Sequence, residues 1–167
     1  EREEITERKN HGVKVIEGDI RKIEDTKNAI KDHEIVIHLA AKISVEESMK
    51  DPSKTFQTNV DGTKNVLMAC EKNNIKKIIV SSSAAVYGES EPKIKLTEKS
   101  KIKPISTYGE SKVMMENEIR KFAEDHNVKY VILRFFNIYG EDQSPEYAGV
   151  ITKFIKKIEM NKPLEIF

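Results

Sequence analysis

The sequence is poor in the residues that form cross-links, metal centres and membrane spans. It has one cysteine, Cys70, so no internal disulfide can form, and its four histidines are too scattered for a metal-binding cluster. No apolar run approaches the roughly 20 residues of a transmembrane helix, and no signal peptide is visible. The 29 basic and 28 acidic residues nearly cancel, which gives no overall attraction for nucleic acid. We therefore expect a soluble, cytoplasmic domain with no metal and no nucleic-acid or membrane partner.

Short apolar runs alternate with helical patterns along the chain. The runs predicted to be strands are residues 13–17, 35–41, 77–82 and 129–135, and 164–167 could form a last strand. Helices are predicted at residues 21–31, 45–50, 52–71, 111–126 and 149–160. Strands that alternate with helices of about ten or more residues predict an α/β fold with a doubly wound parallel sheet.

The motif with the clearest chemistry is Tyr108-Gly109-Glu110-Ser111-Lys112. Residues four apart share one face of a helix, so Tyr108 and Lys112 are predicted to stand side by side. A phenol has a reference pKa of about 10, and a nearby ammonium favours the phenolate, which is the form of a general base. Ser83 follows the run at 77–82 and should lie at the carboxyl end of a parallel strand, where such sheets bind ligands. Together these residues predict redox chemistry on a carbon that carries an alcohol.

The strand ends and the tyrosine motif form a recognisable combination. Its parts are Gly18-Asp19-Ile20, His38-Leu39-Ala40-Ala41, Ser81-Ser82-Ser83, Tyr108-x-x-x-Lys112 and Arg134-Phe135-Phe136-Asn137-Ile138-Tyr139-Gly140. In this combination the chain resembles the extended short-chain dehydrogenase/reductase family, and within it the nucleotide-sugar 4-epimerases of the UDP-glucose 4-epimerase type. Residues 147–154 are also typical of those epimerases, so the resemblance runs through essentially the whole chain.

The resemblance implies NAD as cofactor, a UDP-hexose as substrate and a role for each matched residue. The catalytic residues would be Ser83, Tyr108 and Lys112. The cofactor-binding residues would be Asp19, Ile20, Leu39, Ala40, Ala41, Lys42, Thr58, Tyr108, Lys112 and Phe136. The sugar or its phosphate would contact Ser83, Tyr108 and Asn137. In the implied reaction Tyr108 takes the proton of the 4-hydroxyl as hydride passes from C4 to NAD, and the keto sugar turns before the hydride returns to its other face.

Other activities of the same family give the alternatives. Sugar 4,6-dehydratases of this fold usually carry Thr-Asp-Glu after the third-strand serines, whereas Ser83-Ala84-Ala85 provides no carboxylate. Elimination of water is therefore disfavoured relative to epimerisation or simple oxidation. A nucleotide-sugar dehydrogenase or reductase is the alternative enzyme, and a truncated, non-enzymatic module is the alternative outside enzymes.

Glycine is scarce where the resemblance requires it. A dinucleotide-binding domain places a Gly-x-Gly-x-x-Gly turn after its first strand, and none of the seven glycines forms one. We therefore expect residues 1–167 to be a partial, Rossmann-like NAD-binding domain, incomplete at both ends and inactive alone. The β-α-β unit with the glycine turn and the substrate domain would lie outside it.

Two missing strands would leave an edge of the sheet unpaired and so affect how the chain assembles. In the usual strand order the first two strands of the family lie between the strand at 13–17 and the strand at 35–41. Without them, the segment 13–17 must pair directly with 35–41, cross to another molecule or detach. An unpaired apolar edge invites association, so a homodimer or a strand-exchanged oligomer is predicted.

Simpler interpretations stay open for four of these positions. Gly18-Asp19 could be an ordinary turn with an aspartate helix cap. His38 in an apolar strand could be a hydrogen-bonded core residue rather than a ligand. Asn59 could bridge backbone segments near the site, and Arg134 could pair with an acidic residue.

Overall fold

A computed structural model of the chain describes residues 13–89, 95–138, 140 and 150–164. Its described sheet contains three parallel strands in the order β1-β2-β3, namely β1 Ile35–His38, β2 Lys77–Ser83 and β3 Lys129–Phe135. The register pairs His38 with Val80 and Ser83 with Phe135, so the carboxyl ends of β2 and β3 lie side by side. The predicted α/β class with a parallel sheet is confirmed.

Helical segments connect the strands and follow the last one. The α-helices of the described residues are α1 Ile23–Ile30, α2 Val45–Lys50, α3 Pro52–Phe56, α4 Gly62–Lys72, α5 Thr107–His126 and α6 Val150–Glu159. A π-helical turn, Gln57–Asp61, joins α3 to α4, and a 3-10 turn, Ala84–Val86, follows β2. The five predicted helical regions are confirmed, but the pattern gave no sign of the π-helical turn within the region predicted at 52–71.

The core lies between the central strand and two long helices. Ile78 and Val80 of β2 have no solvent exposure, because the strand has a neighbour on each side and helices over it. Helices α4 and α5 cover it with the buried residues Val66, Leu67, Ala69, Cys70, Met115, Ile119 and Phe122. The stripe predicted on the 52–71 helix is confirmed, since Val60, Val66, Leu67 and Ala69 are buried and Phe56 is half-buried. This packing fixes α5 against β2, which carries Ser83.

The strand predicted at 13–17 is wrong. These residues enter no ladder, and the side chains of Val13, Val15 and Ile16 are exposed. A β-branched composition favours extended backbone, but a strand also needs a neighbour with free amides and carbonyls. Among the described residues β1 pairs with β2 alone, and its Ile35 and Ile37 side chains are more than half exposed. The predicted association through this edge stays a prediction.

Two features are absent from the part of the chain that the structure describes. None of its helices combines the length and the apolar content that crossing a membrane would require. Its His, Cys, Asp and Glu side chains form no group of three that could hold a metal ion.

Cys70 is buried, and burial raises the pKa of its thiol to about 12, so it stays protonated. Leu164 lies outside any strand, and the rest of the strand predicted at 164–167 lies outside the described residues.

Candidate active site

Tyr108 and Lys112 stand on the first two turns of α5. The helix begins at Thr107 because the Ser106 side chain caps it, accepting a hydrogen bond of 3.1 Å from the Gly109 amide. Both side chains are buried, with 8% exposure for Tyr108 and 2% for Lys112. The Lys112 Nζ atom lies 5.8 Å from the centre of the Tyr108 ring. The predicted side-by-side arrangement is confirmed, on a helix that starts earlier than the apolar pattern indicated.

Ser83 ends β2 and faces the tyrosine. Its Oγ accepts a hydrogen bond of 3.2 Å from the Ala85 amide, which orients the hydroxyl at the strand end. Burial raises the pKa of Tyr108 above its ordinary value, and hydrogen bonding with Ser83 offsets part of that rise. We expected Lys112 to lower this pKa, and the expectation is wrong in direction because the desolvation of the phenol is the larger effect.

Lys112 is held by the backbone of β2. Its Nζ donates a hydrogen bond of 3.0 Å to the Ser81 carbonyl oxygen and lies 3.9 Å from Met115 Sδ. Burial lowers the pKa of Lys112 to about 8, while the negative charge of Glu116 opposes this effect. The amine therefore remains mostly a cation at neutral pH, close to its point of titration.

Asn59 fixes the segment after β1 beside Tyr108. Its Oδ1 accepts from the Lys42 amide at 2.8 Å, and its Nδ2 donates to the Lys42 carbonyl at 3.0 Å and to Ser111 Oγ at 2.9 Å. Ser111 Oγ in turn donates to the Tyr108 carbonyl at 2.7 Å. The interpretation of Asn59 as a backbone bridge is confirmed. This chain of bonds holds Lys42, the last residue of the 39–42 segment, next to the start of α5.

An Asn59→Ala variant is expected to be less stable by about 1–3 kcal/mol, because buried groups of Lys42 and Ser111 would lose their partners. Urea denaturation followed by circular dichroism measures the change. Asn117→Ala, which alters an exposed asparagine of α5, is the matched control and should have little effect. Equal stability of the two variants would contradict a bridging role for Asn59.

His38 ends β1 as a core residue. Its Nε2 lies 2.9 Å from Thr63 Oγ1, and the single Thr63 hydroxyl proton goes to the Asn59 carbonyl at 2.7 Å. The ring nitrogen is therefore the donor, because the hydroxyl has no second proton to give. Burial and, to a lesser extent, the charge of Lys112 lower the pKa of His38 to about 4. The interpretation as a hydrogen-bonded neutral histidine is confirmed.

Asp19 and Ile20 lie in a turn before α1. The Lys22 amide donates to the Asp19 carbonyl at 2.8 Å, and the Asp19 carboxylate pairs with Arg21. Hydrogen bonds from the Arg21 side chain and amide hold the pKa of Asp19 at about 2. The turn interpretation is confirmed, but Asp19 does not cap the helix, since the N-cap residue is Lys22.

Ile20 is packed on the start of α4. A methyl group at Gly62 would come within 2.7 Å of Ile20 Cδ1, so the missing side chain makes room for the isoleucine. The Asn65 side chain donates to the Ile20 carbonyl at 2.9 Å. The segment 19–20 is therefore fixed to the helix that follows Asn59.

The other predicted contact residues are accessible. Phe136 and Asn137 are exposed and follow β3, beside the strand end that carries Ser83. Leu39 and Ala40 are exposed, Ala41 and Lys42 are half-buried, and the Thr58 hydroxyl donates to the Lys54 carbonyl. The structure thus brings Ser83, Tyr108 and Lys112 together at the carboxyl end of β2.

Arg134 pairs with a carboxylate that the sequence reasoning missed. Its Nε and Nη2 atoms donate to the two oxygens of Glu116 at 2.9 and 2.7 Å, which confirms that Arg134 has an acidic partner. The signal that could have found Glu116 is its position four residues after Lys112, on the same helix face.

Comparisons with known proteins bear on the family of the chain. The family model described as NAD dependent epimerase/dehydratase family matches residues 1–167. The chain is 41% identical to a provisionally named UDP-glucose 4-epimerase of Methanocaldococcus jannaschii, over 95% of the chain and 52% of that protein. It is 37% identical to a UDP-glucose 4-epimerase of Azospirillum brasilense, over 86% of the chain and 42% of that protein.

Solved structures give the same picture. The UDP-glucose 4-epimerase of Thermus thermophilus in complex with NAD superimposes with a TM-score of 0.86 at 31% identity, covering 92% of this chain and 50% of that one. The UDP-N-acetylglucosamine 4-epimerase of Methanobrevibacter ruminantium M1, in complex with UDP-N-acetylmuramic acid, gives a TM-score of 0.77 at 40% identity, covering 86% of this chain and 46% of that one. The chain spans about half the length of the relatives it matches. It belongs to the NAD dependent epimerase/dehydratase family.

Proposed function

We propose that this chain carries the catalytic part of an NAD-dependent nucleotide-sugar 4-epimerase of the UDP-glucose/UDP-galactose type. The observation that supports this most directly is the placement of the Ser83 hydroxyl and the Tyr108 phenol at one strand end, next to the buried amine of Lys112. A phenol, a hydroxyl and a cation at one strand end can move a proton on and off an alcohol. Because the chain spans about half of its relatives, we assign the activity to the full-length protein and expect this chain alone to be inactive.

Tyr108 is the proposed acid and base. Burial favours the neutral phenol, which suits the return of a proton to a keto sugar. The Ser83 hydrogen bond and the nearby Lys112 cation favour the phenolate, which suits removal of the proton from the 4-hydroxyl. The raised pKa makes the neutral phenol the resting form at neutral pH, and an alcohol oxygen of the sugar would add a further hydrogen bond to it. Ser83 would hold that oxygen in line with the phenol.

The residues present fit the two ends of NAD. Asp19 and Ile20 offer a carboxylate and an apolar side chain for the adenosine end, and the segment 39–42 is pinned beside Tyr108 by Asn59. Phe136 provides an exposed ring next to Ser83 for the nicotinamide end. When bound, NAD supplies the reversible oxidation of the sugar carbon. The chain's own groups hold the cofactor, orient the sugar and move the proton.

A UDP-hexose is the proposed substrate. The solved relatives include a UDP-glucose 4-epimerase of Thermotoga maritima with UDP-glucose, which is 34% identical to this chain. Asn137 is exposed beyond β3 and could contact the sugar or its phosphate, while Ser83 and Tyr108 contact the hydroxyl that reacts. Ser83 is followed by Ala84 and Ala85, so no carboxylate stands there to assist loss of water.

A coupled assay tests the proposal. The full-length protein is incubated with UDP-galactose and NAD, and the UDP-glucose formed is measured with UDP-glucose dehydrogenase. Conversion is expected, with no build-up of NADH when the coupling enzyme is left out, because epimerisation is neutral in electrons overall. NADH formed in proportion to the sugar consumed, without the coupling enzyme, would instead identify a dehydrogenase.

A further inference from the structure

Glu116 is a buried carboxylate that the proposed chemistry does not use. It has no solvent exposure, and it accepts four hydrogen bonds from three side chains. Ser82 Oγ and Arg134 Nε donate to Oε1 at 2.6 and 2.9 Å, and the Nη2 atoms of Arg120 and Arg134 donate to Oε2, each at 2.7 Å. Burial alone would raise the pKa of Glu116, but these bonds lower it below its ordinary value, so the group is an anion.

The partners of Glu116 belong to the elements that carry the candidate site. Ser82 precedes Ser83 at the end of β2, and Glu116 itself lies one turn after Lys112 on α5. Arg134 stands in β3, two residues before Phe136, and also donates to the Tyr87 hydroxyl at 2.9 Å. One carboxylate therefore ties together β2, β3 and α5, at the level where their functional side chains emerge.

Lys112 has few charged neighbours. The titratable groups that face it are Tyr108 and Glu116 on its own helix and His38 on β1. His38 is neutral at pH 7, since burial lowers its pKa to about 4. Within the described residues no carboxylate is in ion-pair range of Lys112, whose Nζ is bonded to the Ser81 carbonyl. Glu116 is thus the one group named here that supplies negative charge near this amine at neutral pH.

We propose that Glu116 is a positioning residue of the site, whose buried carboxylate aligns the ends of β2 and β3 with α5 and keeps the Lys112 amine a cation. The consequence for catalysis rests on the proposed function, whereas the effect on Lys112 does not. A purely stabilising role explains less, because the cost of burying the Glu116 carboxylate and the Arg134 guanidinium offsets their attraction, and apolar side chains could fill the same space. Apolar side chains could not supply the negative charge near Lys112.

Two charge variants make opposite predictions for Lys112. In Glu116→Gln the negative charge is lost and two arginine charges remain, so the pKa of Lys112 should fall below its value of about 8. In Arg120→Gln one positive charge is lost and Glu116 is left less neutralised, so the pKa should rise. Arg120 is about one-third exposed, so this second variant should fold even if the first does not. A role limited to packing would not shift the pKa in opposite directions.

The measurement is an NMR titration of the Lys112 side chain in the full-length protein, labelled at lysine and assigned by comparison with Lys112→Arg. Glu118→Gln is the matched control, because Glu118 lies on α5 like Glu116 but forms its ion pair at the surface with Lys64 of α4, so its loss should leave the pKa of Lys112 unchanged. An unchanged Lys112 pKa in a folded Glu116→Gln variant would overturn the proposal, as would an unchanged pKa in Arg120→Gln. Neither result would bear on the epimerase assay, which is read separately on the full-length protein.

Discussion

A Tyr108→Phe variant of the full-length protein is expected to lose about 10²- to 10⁴-fold of its epimerase kcat, the usual contribution of a general acid and base. The substitution removes the hydroxyl that would take the proton from the sugar and give it back. The ring should stay in place, because Tyr108 is buried and phenylalanine has the same shape. Loss of the phenol hydroxyl should cost about 1 kcal/mol of stability at most, so the variant should remain folded.

The control for this variant is Tyr130→Phe. Tyr130 lies on β3 with 40% exposure, and the substitution removes the same hydroxyl away from the candidate site. Circular dichroism and urea midpoints establish that both variants are folded before rates are compared. A Tyr108→Phe enzyme that kept its rate would remove Tyr108 from the mechanism, and equal losses in both variants would indicate that the assay reports general damage.

Local sequence relationships were sufficient for most of the fold. The strand predicted at 129–135 is β3 with the same bounds, because its β-branched and aromatic residues favour extended backbone and β2 provides a parallel partner, although most of its side chains are exposed. Helix α5 begins four residues before the predicted position, at Thr107. The sequence feature that marks this helix start is the capping residue Ser106. The apolar pattern does not mark it, because the first turn carries candidate site residues rather than core residues.

The segment 13–17 marks a limit of that reasoning. Alternating β-branched residues favour extended backbone, but the segment forms no strand in the structure. Whether an extended segment becomes a strand depends on a partner elsewhere in the sheet. Among the described residues β1 pairs with β2 and not with the segment 13–17. Composition describes the segment alone and therefore could not decide the pairing.

In the candidate site, too, the sequence predicted the contacts between nearby residues but not those between distant ones. Tyr108 and Lys112 were predicted together because four residues of helix bring them to one face. The contacts that hold them come from far along the chain: the Tyr108 amide donates to Ser48 Oγ, 60 residues away, and Asn59 binds Ser111, 52 residues away. Such pairs have no local spacing that could reveal them.

The sequence predicted which charged group lies near Tyr108 but not the direction in which the pKa of Tyr108 shifts. The sequence correctly placed a cation beside a phenol, and we expected the phenol to become more acidic for that reason. The structure buries Tyr108, and the resulting desolvation outweighs the other influences on its pKa. Depth of burial depends on the packing of α5 on β2, which no window of sequence contains.

A Gly109→Ala variant is expected to lose about 10²-fold of kcat, the loss that a displacement on the order of 1 Å can cause at a catalytic group. A methyl group at this position would lie 2.7 Å from the Ala85 carbonyl oxygen and 3.0 Å from Pro104 Cβ. The first atom belongs to the backbone, so the turn 84–86 would have to move away from α5. The Ala85 amide holds Ser83 Oγ, and the serine would move with it, away from Tyr108.

The effect of Gly109→Ala on stability should be much smaller than its effect on rate. Alanine favours a helix over glycine by about 1 kcal/mol, while the added contact costs roughly 1–3 kcal/mol, so the two nearly cancel. Gly140→Ala is the matched control, because a methyl group there would have nothing within 4 Å. A folded Gly109→Ala enzyme with normal kcat would mean that Ser83 can shift without consequence, and the serine would then lose its proposed role beside Tyr108.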